Sequence, residues 1–160
     1  MAKIDNLKQI LQKRFDKVEK HYIALCEYKE LIDVMQVEED IYNQFNFNTL
    51  KPEKHAILDA YLKRFASLQD FLGAKIFPSL LEVAGIDAKK MSDVLSLIEK
   101  EEIIDNLENW IELREVRNEL EHDYLEELQE ALNDLKYCID NFGQLEKYYL
   151  NAKTFFERYR

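Results

Sequence analysis

An all-α, up-and-down helical bundle is the fold the sequence predicts, and three observations predict it. Only three Gly and two Pro occur in 160 residues, too few to punctuate the frequent turns that sheets require. Apolar residues recur at steps of three, four and seven in one segment after another, which is the period of a helix with one buried face. No tandem repeat, low-complexity tract or linker divides the chain, so residues 1–160 read as a single domain. At this size roughly 70% of the unfolded surface can be buried, enough for a core without metal or disulfide. The expected architecture is four long helices plus a short one.

The first stripe runs Ile4, Leu7, Leu11, Phe15, Val18, Tyr22, Leu25, Ile32, Met35, a helix of about 30 residues. The stretch from Asn43 to Thr49, rich in Asn and aromatics, reads as a loop. Pro52 then suits the first turn of a second helix, where its missing N–H costs nothing. That helix carries Leu58, Leu62, Phe65, Leu68, Leu72, Ile76 and Leu80, with Gly73 and Pro78 predicted to loosen or kink it near its end. Gly85 closes the segment, and Ser92 is the expected N-cap of the short helix. A fourth helix is predicted from about Ile103 to about Glu121. The last, carrying Leu125, Leu128, Leu132, Leu135, Ile139 and Phe142, is predicted to run from Leu125 to near the C-terminus. Four amphipathic helices and a short one can bury their stripes only on each other.

The formal net charge is −10, the wrong sign for a surface that tracks a phosphate backbone over its whole extent. Any contact with a polyanion is therefore confined to a local cationic pocket. Cys26 and Cys138 sit singly in apolar helical stretches without CxxC pairing, as buried small hydrophobes of a reduced compartment. The N-terminus is charged from the start, unlike a signal peptide, and no apolar run approaches the ~20 residues of a membrane span. The expectation is a soluble, cytoplasmic protein with no membrane association.

The fourth helix carries the chemistry. Ile103, Leu107, Trp110, Leu113, Leu120 and Tyr124 fall on one side, and Arg117 lies in the middle of that stripe. A guanidinium there costs several kcal/mol unless an anion meets it. Taken alone, Arg117 reads as a buried cation paired with Glu or Asp from a neighbouring helix. His122 lies five residues on, about 140° round a straight helix, so the two converge only if the helix ends near Glu121 or two chains bring their helix ends together. Arg114 and Asn118 share the side of His122, at steps of four. His21 and His55 read as ordinary core or surface histidines.

Arg117-Asn118-Glu119-Leu120-Glu121-His122 resembles the motif of the HEPN superfamily: Arg, a polar residue, three free positions, then His. Asp123-Tyr124 extends it to the Arg-x4-His-x-Tyr signature of HepT-type toxins, and Arg64-Phe65, Lys75 and Trp110 are similar to that family's layout. The likeness covers roughly residues 55–130. It implies a homodimeric, metal-independent endoribonuclease that needs no cofactor, the toxin of a type VII-like toxin–antitoxin pair. Arg117, Asn118 and His122 would be the catalytic residues. Cleavage through a neighbouring 2′-hydroxyl needs a base, an acid and a cation at the phosphorane, which suits His for the first two and Arg for the third. One chain offers one such His, so the resemblance implies a composite site at a two-fold interface, with Asn118 orienting His122 or holding a phosphate oxygen. Arg114 is a candidate RNA-phosphate contact. Tyr124 would be the tyrosine to which an MNT-type nucleotidyltransferase antitoxin transfers AMP, placing charge and bulk beside Arg117.

Glu119 and Glu121 oppose RNA unless they point away, and Arg114, Lys63 and Arg64 are the nearby cations in the sequence pattern. Glu119-x-x-His122 also fits half of a di-iron carboxylate site, but no second ExxH exists in the chain. Zinc finds no Cys/His cluster of ligand spacing, so no metal is assigned. The alternative is a non-catalytic helical interaction protein that binds a nucleotidyltransferase partner.

Overall fold

The computed structural model describes residues 2–123 and 127–160, and of residues 122 and 123 the backbone alone. The elements run α1 (Ala2–Glu38), α2 (Gln44–Asn48), α3 (Pro52–Phe71), a π-helical turn (Leu72–Ile76), α4 (Phe77–Val83), α5 (Met91–Lys100), α6 (Leu107–Asp123), α7 (Leu128–Asp140) and α8 (Phe142–Glu157). The all-α bundle expected from the apolar period is what forms. Leu11, Phe15, Val18, Leu25, Ile32 and Met35 are buried along α1, and its longest contact is with α3. α6 packs on α7, and α8 lies against α1, α3 and α4. Among the described residues no helix is long and apolar enough to cross a membrane.

Aromatic rings mark where the layers meet. Phe15 stacks on Phe156 at 5.3 Å between centroids and Tyr22 on Tyr149 at 4.3 Å, clamping α8 to α1. Trp110 of α6 sits 5.0 Å from Phe77 of α4 and 5.7 Å from Tyr148 of α8, so one indole joins three helices. Tyr61 spends its hydroxyl inside the core, donating to the Cys138 carbonyl at 2.8 Å. Cys138 is buried and Cys26 half-buried, both as free thiols, and burial pushes the Cys138 thiol up to about 12.

Pro52 occupies the first turn of α3 as expected. Pro78 cannot continue the α-helical ladder, and the chain accommodates it with a wide turn in which the Phe77 N–H reaches the Leu72 carbonyl. The loosening predicted from Gly73 and Pro78 is this turn.

Four boundaries differ from the sequence reading, each for a local reason. Gln44–Asn48 is a helical turn rather than loop, because the Asn43 side chain caps it by accepting from the Asn46 N–H at 3.1 Å. α5 starts one residue before Ser92, and Asp93 supplies the cap by accepting from the Lys90 N–H at 3.1 Å. The fourth helix begins at Leu107, not Ile103: Asn106 accepts from the Asn109 N–H at 2.7 Å as its N-cap, while Ile103 and Ile104 are buried in the preceding turn. The last segment breaks at Asn141, whose side chain donates to the Tyr137 carbonyl at 2.9 Å. The break lets α7 bury Leu132, Leu135 and Ile139 while α8 turns Leu145, Tyr149 and Phe156 onto other neighbours.

Two helix ends use the same bond pattern with different residues. After α4, Ile86 N–H bonds Leu81 O and Gly85 N–H bonds Glu82 O, with Gly85 at φ +74°. After α5, Ile103 N–H bonds Ile98 O and Glu102 N–H bonds Glu99 O, but the left-handed position is Glu102 at φ 62°. Glycine adopts that conformation freely and glutamate does not. Glu102→Gly should therefore raise stability by about 0.5–1 kcal/mol, read as a higher urea midpoint at unchanged m-value.

Candidate functional site

α6 carries the candidate residues, and its phase is fixed at its first turn. Besides the Asn106 cap, Glu99 accepts from the Leu107 N–H and Asp105 accepts from the buried Tyr148 hydroxyl, each at 2.5 Å. With Trp110, Leu113 and Leu120 facing the core, Arg117 must face it too, since it lies on the same stripe. Arg117 is 7% exposed.

The guanidinium meets the carboxylate that the sequence pattern demands, and it comes from α3: Arg117 Nη2 donates to Asp70 Oδ1. Neither Glu119 nor Glu121, the carboxylates inside the motif, is paired with it. The pair is lopsided, because the Asp70 side chain is 63% exposed. Nε of Arg117 is buried without an acceptor. Water thus solvates the anion while the cation sits largely in protein, with its buried Nε unpartnered.

Arg117 also lines an open groove of about 530 Å³ between α3 and α6. From α3 come Asp59, Leu62, Lys63, Ala66, Ser67 and Asp70, and from α6 Arg117, Leu120 and Glu121. The floor is largely apolar, with cations at Lys63 and Arg117 and carboxylates at Asp59, Asp70 and Glu121. A planar fork on a groove wall is suited to an oxyanion such as a phosphate diester, provided Asp70 yields its place.

The other sequence-predicted residues are distributed as follows. Asn118 is exposed and does not line the groove. Arg114 is exposed and lines a neighbouring cavity. Arg64 is turned to the opposite side of α3, where its Nη1 donates to His21 Nδ1 at 2.9 Å, so it gives the groove no charge and Lys63 takes that part. His122 belongs to α6 by its backbone, while its side chain and all of Tyr124 lie outside the described residues. The helix is described through Asp123, two residues beyond the approximate end expected at Glu121.

Asp70 and Gln69 carry parts of the site that the sequence reading did not single out. Gln69 is 1% exposed on α3, and its Nε2 donates to the Trp110 carbonyl at 3.0 Å. A polar residue on the buried face after Phe65 and Leu68 was the available signal. For Asp70 there was none, since partners across helices have no sequence spacing. Among the described residues no three His, Cys, Asp or Glu side chains gather as metal ligands.

Compared with models of protein families, with curated proteins and with solved structures, the chain matches none of them.

Two measurements check this electrostatic picture. Arg117→Met should leave stability unchanged or raise it by about 1–3 kcal/mol, whereas Asp70→Asn, which strands the buried cation, should cost about 1–2 kcal/mol; chemical denaturation of both variants decides. His21 has its pKa lowered below the ordinary 6.5, by burial first and then by Arg64, Lys17 and Lys63. The unfolded chain therefore takes up this proton first as pH falls below about 6.5, and stability declines until the folded value is passed. His21→Gln should flatten that slope in denaturation midpoints measured across the same window.

Proposed function

We propose that the chain is a metal-independent endoribonuclease of the HEPN type, the cytoplasmic toxin of a toxin–antitoxin pair, acting as a homodimer. The observation that carries this reading is the buried Arg117 guanidinium on the wall of an open groove, one donor unpartnered and one carboxylate as its sole described anion. It supports the motif Arg117-Asn118-x3-His122 as chemistry rather than packing.

In the proposed mechanism an RNA phosphate displaces Asp70, whose exposed carboxylate loses little on moving into water. Arg117 then faces the non-bridging oxygens and offsets the charge that grows on them in the phosphorane. The roughly 140° between positions 117 and 122 on one helix favours a composite site, in which His122 of two chains divides the roles of base and acid. Asn118, one helical turn before His122, orients that imidazole. Tyr124 is the proposed acceptor of AMP from a nucleotidyltransferase antitoxin, which would silence the site by repelling RNA phosphate.

A second reading is favoured by one observation: Asp59, Asp70 and Glu121 ring the groove, which suits a cationic partner better than a polyanion. On that reading the chain is a non-catalytic helical module that binds a nucleotidyltransferase.

Incubating the purified protein with RNA in EDTA separates the two. The ribonuclease reading expects metal-resistant cleavage leaving 2′,3′-cyclic phosphate ends, reduced at least about 100-fold in Arg117→Met and in His122→Ala. No cleavage by a folded wild-type dimer would favour the binding module instead.

A further inference from the structure

Asp70 borders a second cavity, of about 390 Å³, lined among others by Gln69, Gly73, Met91, Trp110 and Arg114. Its size falls in the range of small-ligand pockets, about 300–1,000 Å³. Three features set it apart from a packing gap.

Gln69 donates through Nε2 to the Trp110 carbonyl, and because a carbonyl only accepts, that bond fixes the amide orientation. The remaining atom, Oε1, is buried and has no partner, a condition that destabilises the folded protein. A ligand bringing an N–H to it recovers that loss. Arg114 is exposed beside the same cavity and pairs with no carboxylate among the described residues, whereas the shared Asp70 is engaged by Arg117. Finally, Trp110 and Gly73 line the cavity together, and position 73 packs so closely on the indole that a Cβ there would lie 3.2 Å from Trp110 Cζ2. Met91, 62% exposed, offers a polarisable thioether on the same lining.

An unsatisfied acceptor, an aromatic lining residue and a fork-shaped cation that meets no carboxylate among the described residues together describe a flat heterocycle with an N–H, attached to an anion. We propose that this cavity is a nucleotide subsite, the base donating an N–H to Gln69 Oε1 against Trp110 while Arg114 binds the phosphate. With Asp70 common to both spaces, a strand could set one phosphate at Arg117 and the adjoining nucleotide here. Taking RNA as the source rests on the ribonuclease reading; a free nucleotide offers the same chemistry.

Trp110 is the only tryptophan of the chain, so its fluorescence reports on this cavity without any need for cleavage. Titration with AMP, CMP, GMP and UMP should give a saturable emission change for at least one of them, with Kd roughly millimolar or tighter. The N-methylated form of that nucleotide, its base donor blocked, should bind at least about tenfold more weakly. Arg114→Ala should weaken the monophosphate about tenfold and leave the corresponding nucleoside unchanged. An uncleavable 2′-O-methyl oligonucleotide binding at least about tenfold more tightly than the monomer identifies RNA as the source, and equal affinities identify the free nucleotide. No saturable change with any monophosphate or with the oligonucleotide overturns the subsite, as does indifference to both the methylation and Arg114→Ala. Absence of RNA cleavage beside intact nucleotide binding would sink the ribonuclease reading alone.

Discussion

The charge of Arg117 is the constraint around which this end of the bundle is organised. α6 cannot bury Trp110, Leu113 and Leu120 without also burying the residue between them on the same stripe. A guanidinium so placed loses several kcal/mol of hydration unless it is met, and the α3 face opposite has to supply an anion. Asp70 does so with one oxygen, from a side chain still mostly in water. A cation embedded for stability would be expected to have its donors satisfied on all sides; this one keeps its buried Nε without an acceptor while the residue lines an open groove. That imbalance makes the contact easy to exchange and gives the groove a chemical character its apolar floor would lack.

Precision at Arg117 is set some ten residues away. The first turn of α6 is tied by Asn106, Glu99 and the Asp105–Tyr148 contact, and Trp110 is wedged between Phe77 and Tyr148. These contacts fix the rotation of α6 about its axis, and everything later on the helix inherits that phase. Gln69 adds a bridge from α3 to the Trp110 carbonyl, so the two walls of the groove are held by a hydrogen bond and not only by packing.

The parts of the fold that are visible in the sequence are those governed by local rules. The α1 and α3 stripes, Pro52, the disturbance at Gly73 and Pro78, and Gly85 all act through spacing or backbone conformation. Glu102 breaks the rule that glycine marks a helix end, so the turn after α5 leaves no signal in the sequence, and apolar spacing alone places the start of the fourth helix at Ile103 instead of Leu107. Asn141 favours helix ends over interiors, but a single Asn inside an otherwise unbroken apolar stripe is a weak signal, and the need of α7 and α8 to face different neighbours makes it a break. At the site, the sequence pattern demands a carboxylate for Arg117 but cannot choose among 32 acidic residues. That choice belongs to the packing of α3 on α6. Arg64 illustrates the reverse: adjacent in sequence to Lys63, it faces α1 because successive residues on a helix point 100° apart.

The π-helical turn at Leu72–Ile76 has one more consequence. Holding one residue more than an α-helical turn would, it rotates everything after it by about 100° relative to everything before it. Phe65, Leu68 and Leu72 on one side, and Phe77, Leu80 and Leu81 on the other, are all buried across that offset. Ala74, which is exposed in the turn, is thus the kind of residue whose loss the helix absorbs: removing it would close the wide turn to an α-helical one and leave α4 facing as it does. Adding a residue would instead spin α4 on its axis and scramble the wall behind Trp110 more thoroughly than most changes of side chain.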